Sequence, residues 1–460
     1  MDLIIHDGKV VMPDRVVKSD VGIADGKIIA IKKKIESGGI ESIDASGLLV
    51  LPGVIDAHVH FQLQAGKHIT CEDFATGTRA AACGGVTTFI DFAIQEKGQT
   101  LAQAIESRRK IADSQVAIDY SLHAVPTDWN PAIKNEIAKI IKSGVSSFKM
   151  YMVYESLRAG DKALFECLEE SRKAGGMMTV HAESAEILAM MIERYHTDSE
   201  MKKHGAFCHT LSRPDFIEAE AISRAVTWAK ATKGRLYIVH LSSEAGLRII
   251  QRARKENAMV FAETCPHYLY FDDIIYRKEN GYLYATCPQV KQISDREALW
   301  AGITSGDIQV VATDNCAFNK AQKSSWNGDF TQIPYGLPGV ETMLPLLYTL
   351  GVKKNRITLR KLTELICSNP GKLMGLYPQK GAIKIGSDAD LVLIDPHKRV
   401  TITHSKLHSN CDWSPYEGMK LYGVPEMTIS RGKIIAENGT FIGKAGWGKF
   451  IPRTKAGFIR

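Results

Sequence analysis

The order of apolar and polar positions divides the chain into two similar ends and a different middle. Near the start, Leu3-Ile4-Ile5 runs into Asp7-Gly8, Val10-Val11 follows, and Gly26-Lys27-Ile28-Ile29-Ala30-Ile31 repeats the theme. Short apolar runs broken by Gly and Asp predict strands joined by tight turns. The far end resembles this. Gly386-Ser387-Asp388-Ala389-Asp390 is a turn feeding Leu391-Val392-Leu393-Ile394, and residues 427–435 match the opening in kind. Residues 1–52 and 379–440 are therefore expected to form one β domain, with 441–460 left over as a tail and a candidate subunit contact. The middle, 53–378, alternates short apolar runs with longer amphipathic ones, as βα units on a parallel sheet do. Strands are predicted at 54–60, 86–92, 117–124, 145–151, 177–182, 236–241, 258–263 and 308–314. Helices are predicted between them, for example at 161–174 and 218–231. Eight βα units over this length predict an α/β fold, a (β/α)₈ TIM-type barrel with a β-sandwich domain formed from both termini. A doubly wound open sheet is the competing arrangement. It commonly carries a Gly-rich phosphate turn, and neither GxGxxG nor GxxxxGKS occurs.

Composition narrows the classes. The 460 residues are 45% hydrophobic and 24% charged, the balance of a globular chain. No run reaches the ~18 apolar residues of a membrane helix, and the N-terminus shows no signal-peptide pattern, so the expectation is a cytoplasmic protein with no membrane partner. The net charge of +7 is spread along the chain rather than gathered in a stripe, which argues against nucleic-acid binding. Nine cysteines with no CxxC pair suggest buried thiols.

The candidate chemistry lies at strand ends. His58 and His60 lie two apart at the end of the first predicted strand, so their imidazoles should face one point. His181, His240 and Asp314 end three other apolar runs in the same way. One His-x-His could be a satisfied structural pair. Five ligand-type residues at the C-terminal ends of strands, where barrel enzymes keep their sites, point to metal, and N and O donors suit Zn²⁺. Lys149 ends the fourth predicted strand. An ordinary lysine there would reach solvent. Four neutral imidazoles and one carboxylate, however, leave two divalent ions with excess positive charge, and a carbamate formed from Lys149 and CO₂ would supply a bridging anion.

These residues sit in a chain that resembles the dihydropyrimidinase and hydantoinase family of the amidohydrolase superfamily. The likeness is carried by Gly53-Val54-Ile55-Asp56-Ala57-His58-Val59-His60, Ala81-Ala82-Cys83-Gly84-Gly85-Val86-Thr87-Thr88, Glu263-Thr264-Cys265-Pro266-His267-Tyr268-Leu269, Gly381-Ala382, Gly386–Asp390 and residues 444–450. It implies hydrolysis of the C–N bond of a dihydropyrimidine or hydantoin ring to an N-carbamoyl amino acid by a metal-bridging hydroxide. His58, His60 and Asp314 would hold one ion, His181 and His240 the other, and Lys149 as N6-carboxylysine would bridge them. The ions would be Zn²⁺, with Mn²⁺ as the alternative. Asp314 would serve as base and then acid. Tyr154 would donate to the developing oxyanion, although as an isolated residue it reads as a packed loop aromatic. A homo-oligomer, tetramer or dimer, is also implied.

Four departures from the family pattern surround the expected substrate. Asn315 follows Asp314 where the family carries histidine; strand alternation should point it away from Asp314. Cys287-Pro288-Gln289-Val290-Lys291 replaces Ser-Pro-Pro-Leu-Arg, and Tyr335-Gly336-Leu337-Pro338-Gly339 replaces Asn-Gly-Leu-Pro-Gly, so Cys287 and Tyr335 stand at the two backbone anchors for the cyclic amide. The loop Gln62–Lys67 lacks Asp-Met-Pro. Gln62 occupies the position at which dihydroorotases place arginine, and the Asn-Glu pair of allantoinases is missing there. The other readings are an allantoinase-like cyclic amidohydrolase and, in a different class, a non-catalytic dihydropyrimidinase-related scaffold. The latter would have lost metal ligands, and all six positions are filled here.

Overall fold

A computed structural model describes every residue except Thr454, Phe458 and Arg460. The tail assigned to 441–460 therefore falls partly outside the described residues. The middle of the chain forms a parallel sheet of eight strands in chain order: Val54–Asp56, Val86–Ile94, Asp119–Val125, Ser147–Tyr151, Met177–His181, Leu236–Ile238, Val260–Thr264 and Val310–Val311. Helices lie between them. One spans Asp161–Ala174 and another Asp215–Thr232, slightly longer than expected because Asp215 and Glu218 favour its positive N-terminal end. The strands are buried along their length, which explains why they read as near-continuous apolar runs rather than alternating ones.

Ladder pairing does not itself close the circle between the first and last strands. Closure uses side chains and a single bridge. The Asp56 carboxylate accepts from Thr313 N at 3.0 Å and Thr313 Oγ1 at 2.5 Å. Past the strands, Val59 pairs with Asn315, and His60 N donates to Asn315 O at 2.8 Å. Here the structure departs from the strands predicted at 54–60, 236–241 and 308–314. Regular strand ends at Asp56, Ile238 and Val311. In the last two of these, His240 (φ 38°) and Asp314 (φ 51°) take left-handed φ values, which a strand cannot accommodate.

Both ends of the chain build a second, nine-stranded sheet. Leu391–Ile394 from the C-terminal side pairs antiparallel with Leu49–Pro52 from the N-terminal side, so the two ends interleave. Residues 449–451 then run along the barrel strand Asp119–Val125, with Tyr120 N donating to Lys449 O at 2.9 Å and Ile451 N to Tyr120 O at 2.7 Å.

A buried ion cluster ties the sheet to the barrel floor. Lys380 Nζ lies 2.5 Å from Asp119, 2.7 Å from Asp390 and 3.0 Å from Asp388, and all four side chains are at most 3% exposed. Arg431 also meets Asp119 at 3.1 Å. The three carboxylates could together hold a cation, but the Lys380 ammonium already stands among them. Removing it would leave buried carboxylates short of a partner. Lys380→Met should therefore lower the free energy of unfolding by about 3–5 kcal/mol, read from denaturant titration. A loss below about 1 kcal/mol would mean that Arg431 and Lys27, which also meets Asp388, suffice.

Candidate active site

A cavity of about 640 Å³ opens at the C-terminal ends of the barrel strands, and His58, His60, Lys149, His181, His240 and Asp314 all line it. His58 Nε2 and His60 Nε2 stand 3.2 Å apart, and Asp314 Oδ1 is 3.1 Å from the first and 3.2 Å from the second. Their ring planes meet at 68°, an edge-on arrangement with both Nε2 atoms converging. The His181 and His240 rings lie 4.5 Å apart between centroids, and His240 is 5.5 Å from His58. Lys149, 1% exposed, sits 5.3 Å above the Phe92 ring centroid and 5.0 Å from that of Tyr151. The structure thus brings the six sequence-predicted ligand residues to one cavity.

Carboxylates behind the histidines fix which nitrogen faces inward. Glu263 Oε1 accepts from His58 Nδ1 at 2.7 Å, leaving Nε2 for the cavity. Glu183 Oε2 accepts from His181 Nε2 at 2.8 Å, leaving Nδ1. Partners of this kind are what metal-binding imidazoles commonly have. Glu263 is itself held by the Tyr237 hydroxyl at 2.9 Å and His240 N at 3.3 Å. His240 Nδ1 is buried without a hydrogen-bond partner among the described residues. The His58 and His60 nitrogens converging on one carboxylate are a donor set that a divalent cation would satisfy. His58, His60 and Asp314 offer ligand atoms all within 4.8 Å of one another.

The electrostatics agree with that reading. Burial alone would raise the Asp314 carboxyl, but His58, His60 and His240 around it hold it well below the usual range, so it stays anionic. Burial pushes His58 and His240 down, which keeps them neutral as ligation requires. Burial also brings the Lys149 ammonium down to about 8.

Tyr154 has φ 70°, another left-handed non-glycine residue at the site, and its ring lies 5.1 Å from His181. Burial holds its phenol well above the ordinary pKa, with Cys287 and Glu183 nearby adding to the shift. Cys287 and Tyr335 also line the cavity. Asn315 faces elsewhere, but for a different reason than strand alternation: the left-handed turn at Asp314 ends the strand. Its amide nitrogen donates to Glu72 at 2.6 Å, and its oxygen accepts from Gly339 N at 2.8 Å and Val340 N at 3.1 Å. Asn315 thereby pins the segment that carries Tyr335.

Sequence reasoning passed over Glu263, Glu183 and Arg213 as site residues. Glu263 could have been found by the rule that found the ligands, since it ends an apolar run. Glu183 lies two residues past His181, a weaker signal. Arg213 had none.

Comparisons with known proteins agree with this geometry. The amidohydrolase family pattern matches residues 49–435. The D-phenylhydantoinase of Escherichia coli strain K12 is 41% identical over 458 residues, 98% of each chain. Among solved structures, the dihydropyrimidinase from Brevibacillus agri NCHU1002 superposes with a TM-score of 0.97 at 34% identity over the whole of both chains. The L-hydantoinase from Arthrobacter aurescens gives 0.89 at 30% identity, covering 98% of this chain and 100% of its own. The chain belongs to the amidohydrolase family, within its group of hydantoinases and dihydropyrimidinases.

Proposed function

We propose that the protein hydrolyses a cyclic amide, opening the C–N bond of a dihydropyrimidine or hydantoin ring to give an N-carbamoyl amino acid. The observation that carries this is the convergence of His58 and His60 Nε2 on Asp314 Oδ1 at 3.1–3.2 Å, in a cavity shared with Lys149, His181 and His240. The relatives favour neither the allantoinase-like nor the scaffold reading. His58, His60 and Asp314 would hold one divalent ion, His181 and His240 a second, and Lys149 as its carbamate would bridge them. Zn²⁺ suits the donors best, with Mn²⁺ as the alternative. When bound, the ions supply Lewis acidity and a water acidic enough to attack near neutral pH.

The chain's own residues do the rest. Asp314, anionic and facing the cavity, takes the proton of the attacking water and returns it to the departing ring nitrogen. The Tyr154 hydroxyl donates to the carbonyl oxygen as negative charge develops there. Lys149, with its pKa down to about 8, presents an appreciable fraction of neutral amine near pH 7. Its lone pair attacks the carbon of CO₂, and the nitrogen then releases a proton to leave a carbamate. The same reading places the protein in the cytoplasm as a homo-oligomer, tetramer or dimer.

Elemental analysis of purified protein should find about two divalent ions per chain, with Lys149 carboxylated. Because only the neutral amine reacts with CO₂, carboxylation of the metal-free protein by bicarbonate should rise with pH through about 8. An unmodified Lys149 beside a single ion in CO₂-replete protein would contradict this assignment.

Asp314→Ala should lower kcat by on the order of 10²–10⁴ while most metal remains. Retention of more than about a tenth of wild-type kcat would remove Asp314 from the proton transfers. Tyr154→Phe should lower kcat by on the order of 10²–10³ with a much smaller change in KM. A tenfold rise in KM at constant kcat would instead make Tyr154 a binding residue.

A further inference from the structure

Away from the catalytic cavity, three segments distant in sequence bring a cysteine, a glutamate and a histidine together. Cys83 is the last residue of the helix Phe74–Cys83. Glu341 follows the stretch Gly339-Val340 that Asn315 holds. His408 belongs to the segment between the short strands Arg399–Thr401 and Lys420–Tyr422. Each of the three offers one ligand atom, and these atoms lie within 4.8 Å of one another. The approach is built into the backbone. Gly84 passes so close to Glu341 that an added Cβ would stand 2.6 Å from its Cα, so only glycine fits beside Cys83. His408 N donates to Glu341 Oε2 at 2.7 Å, and His408 Nδ1 lies 2.8 Å from Glu341 Oε1. Arg79 donates to His408 O at 3.2 Å and fixes that segment.

The simplest account of the group is an ion pair between His408 and Glu341. It leaves the Cys83 thiol unexplained. Cys83 is 7% exposed, and no hydrogen bond of its thiol is found among the described residues. Its Sγ stands instead within reach of the other two donors. Thiolate, carboxylate and neutral imidazole are ordinary ligands of Zn²⁺, and their two negative charges balance its two positive ones. On a tetrahedral ion such donors stand about 3.3–3.6 Å apart. Oε1 and Nδ1 would open slightly from 2.8 Å, and the thiol would close by no more than about 1.3 Å. The His408 and Glu341 side chains are 19% and 11% exposed, so an ion can enter and a water can take the fourth position.

We propose that Cys83, Glu341 and His408 form a further metal site, separate from the catalytic cavity, for a thiophilic divalent cation of the Zn²⁺ class. On binding, the thiol proton leaves to solvent and the imidazole keeps its hydrogen at Nε2. Sγ, Oε1 and Nδ1 then hold the ion. It ties the end of the first barrel helix to the segment that follows Tyr335 and to the C-terminal part of the chain.

Co²⁺ tests this, because a thiolate ligand gives an intense near-ultraviolet charge-transfer band. The catalytic set of His58, His60, Lys149, His181, His240 and Asp314 contains no sulfur and gives none. Co²⁺ is titrated, under reducing conditions, into protein whose catalytic site is already loaded with Zn²⁺. The wild type should take up about one further equivalent and develop the band. Cys83→Ser should lose the band and bind the added ion about 10-fold more weakly or worse. His408→Gln, with the thiol intact, should weaken uptake by a similar factor, and it decides the matter should Cys83→Ser fail to fold. Cys287 and Cys316 line the catalytic cavity, so a band that persists in Cys83→Ser would put the thiolate ligand elsewhere and overturn the proposal. A wild type with no band and no further equivalent would overturn it too, as would uptake unchanged in His408→Gln.

Discussion

The joint between the first and last barrel strands is the constraint on which the site depends. Asp56 grips Thr313, and Asn315 receives the backbone of His60. These contacts bring residue 314 beside residues 58 and 60, which lie some 250 positions apart in sequence. Neither bond touches the cavity chemistry, yet the Asp314 carboxylate reaches the two imidazoles only because the circle closes there. The closing residues then leave the sheet, and Asp314 at φ 51° and His240 at φ 38° turn their side chains inward. Left-handed non-glycine residues cost on the order of 1–3 kcal/mol each. The buried sheet of parallel strands beneath, together with the clamp around Lys380, offsets that strain.

Much of this was legible in the sequence because two periodicities carry it. Eight apolar runs separated by amphipathic stretches gave the barrel, and the similar character of the two ends pointed to one terminal sheet. The metal-type residues stood out because each ends an apolar run. Strand bounds were less legible at the site. The residues 239–241 and 312–314 are apolar or β-branched enough to extend a strand, but the left-handed torsions at His240 and Asp314 override that propensity. The direction of Asn315 followed from that turn rather than from alternation.

The groups behind the ligands were harder to see, since their roles exist only across the fold. Glu263 serves His58 from 205 residues away. Arg213 lies on the segment before the helix Asp215–Thr232, and its guanidinium lies over the ring of Tyr335 from a loop far along the chain. No local spacing encodes such contacts. Departures from the family pattern were a better guide. Tyr335 and Cys287 both fall on the wall of the cavity, and Asn315 fixes the backbone beside Tyr335.

The two sides of the cavity are therefore connected. Glu183 holds His181 through one oxygen and faces Arg213 with the other. The Arg213 guanidinium lies over the Tyr335 ring and bonds to His209, which donates to the backbone at Thr286, next to Cys287. A buried guanidinium is stabilised by nearby negative charge, and the Glu183 carboxylate supplies it at 3.6 Å. The carboxylate that bonds the His181 imidazole is thus also the counter-charge for the cation behind the cavity wall. His181 and the cavity wall at Tyr335 then share one electrostatic support. Changing the wall while keeping that support is a route by which a chain can retain its hydrolytic centre and alter the ring that fits against it.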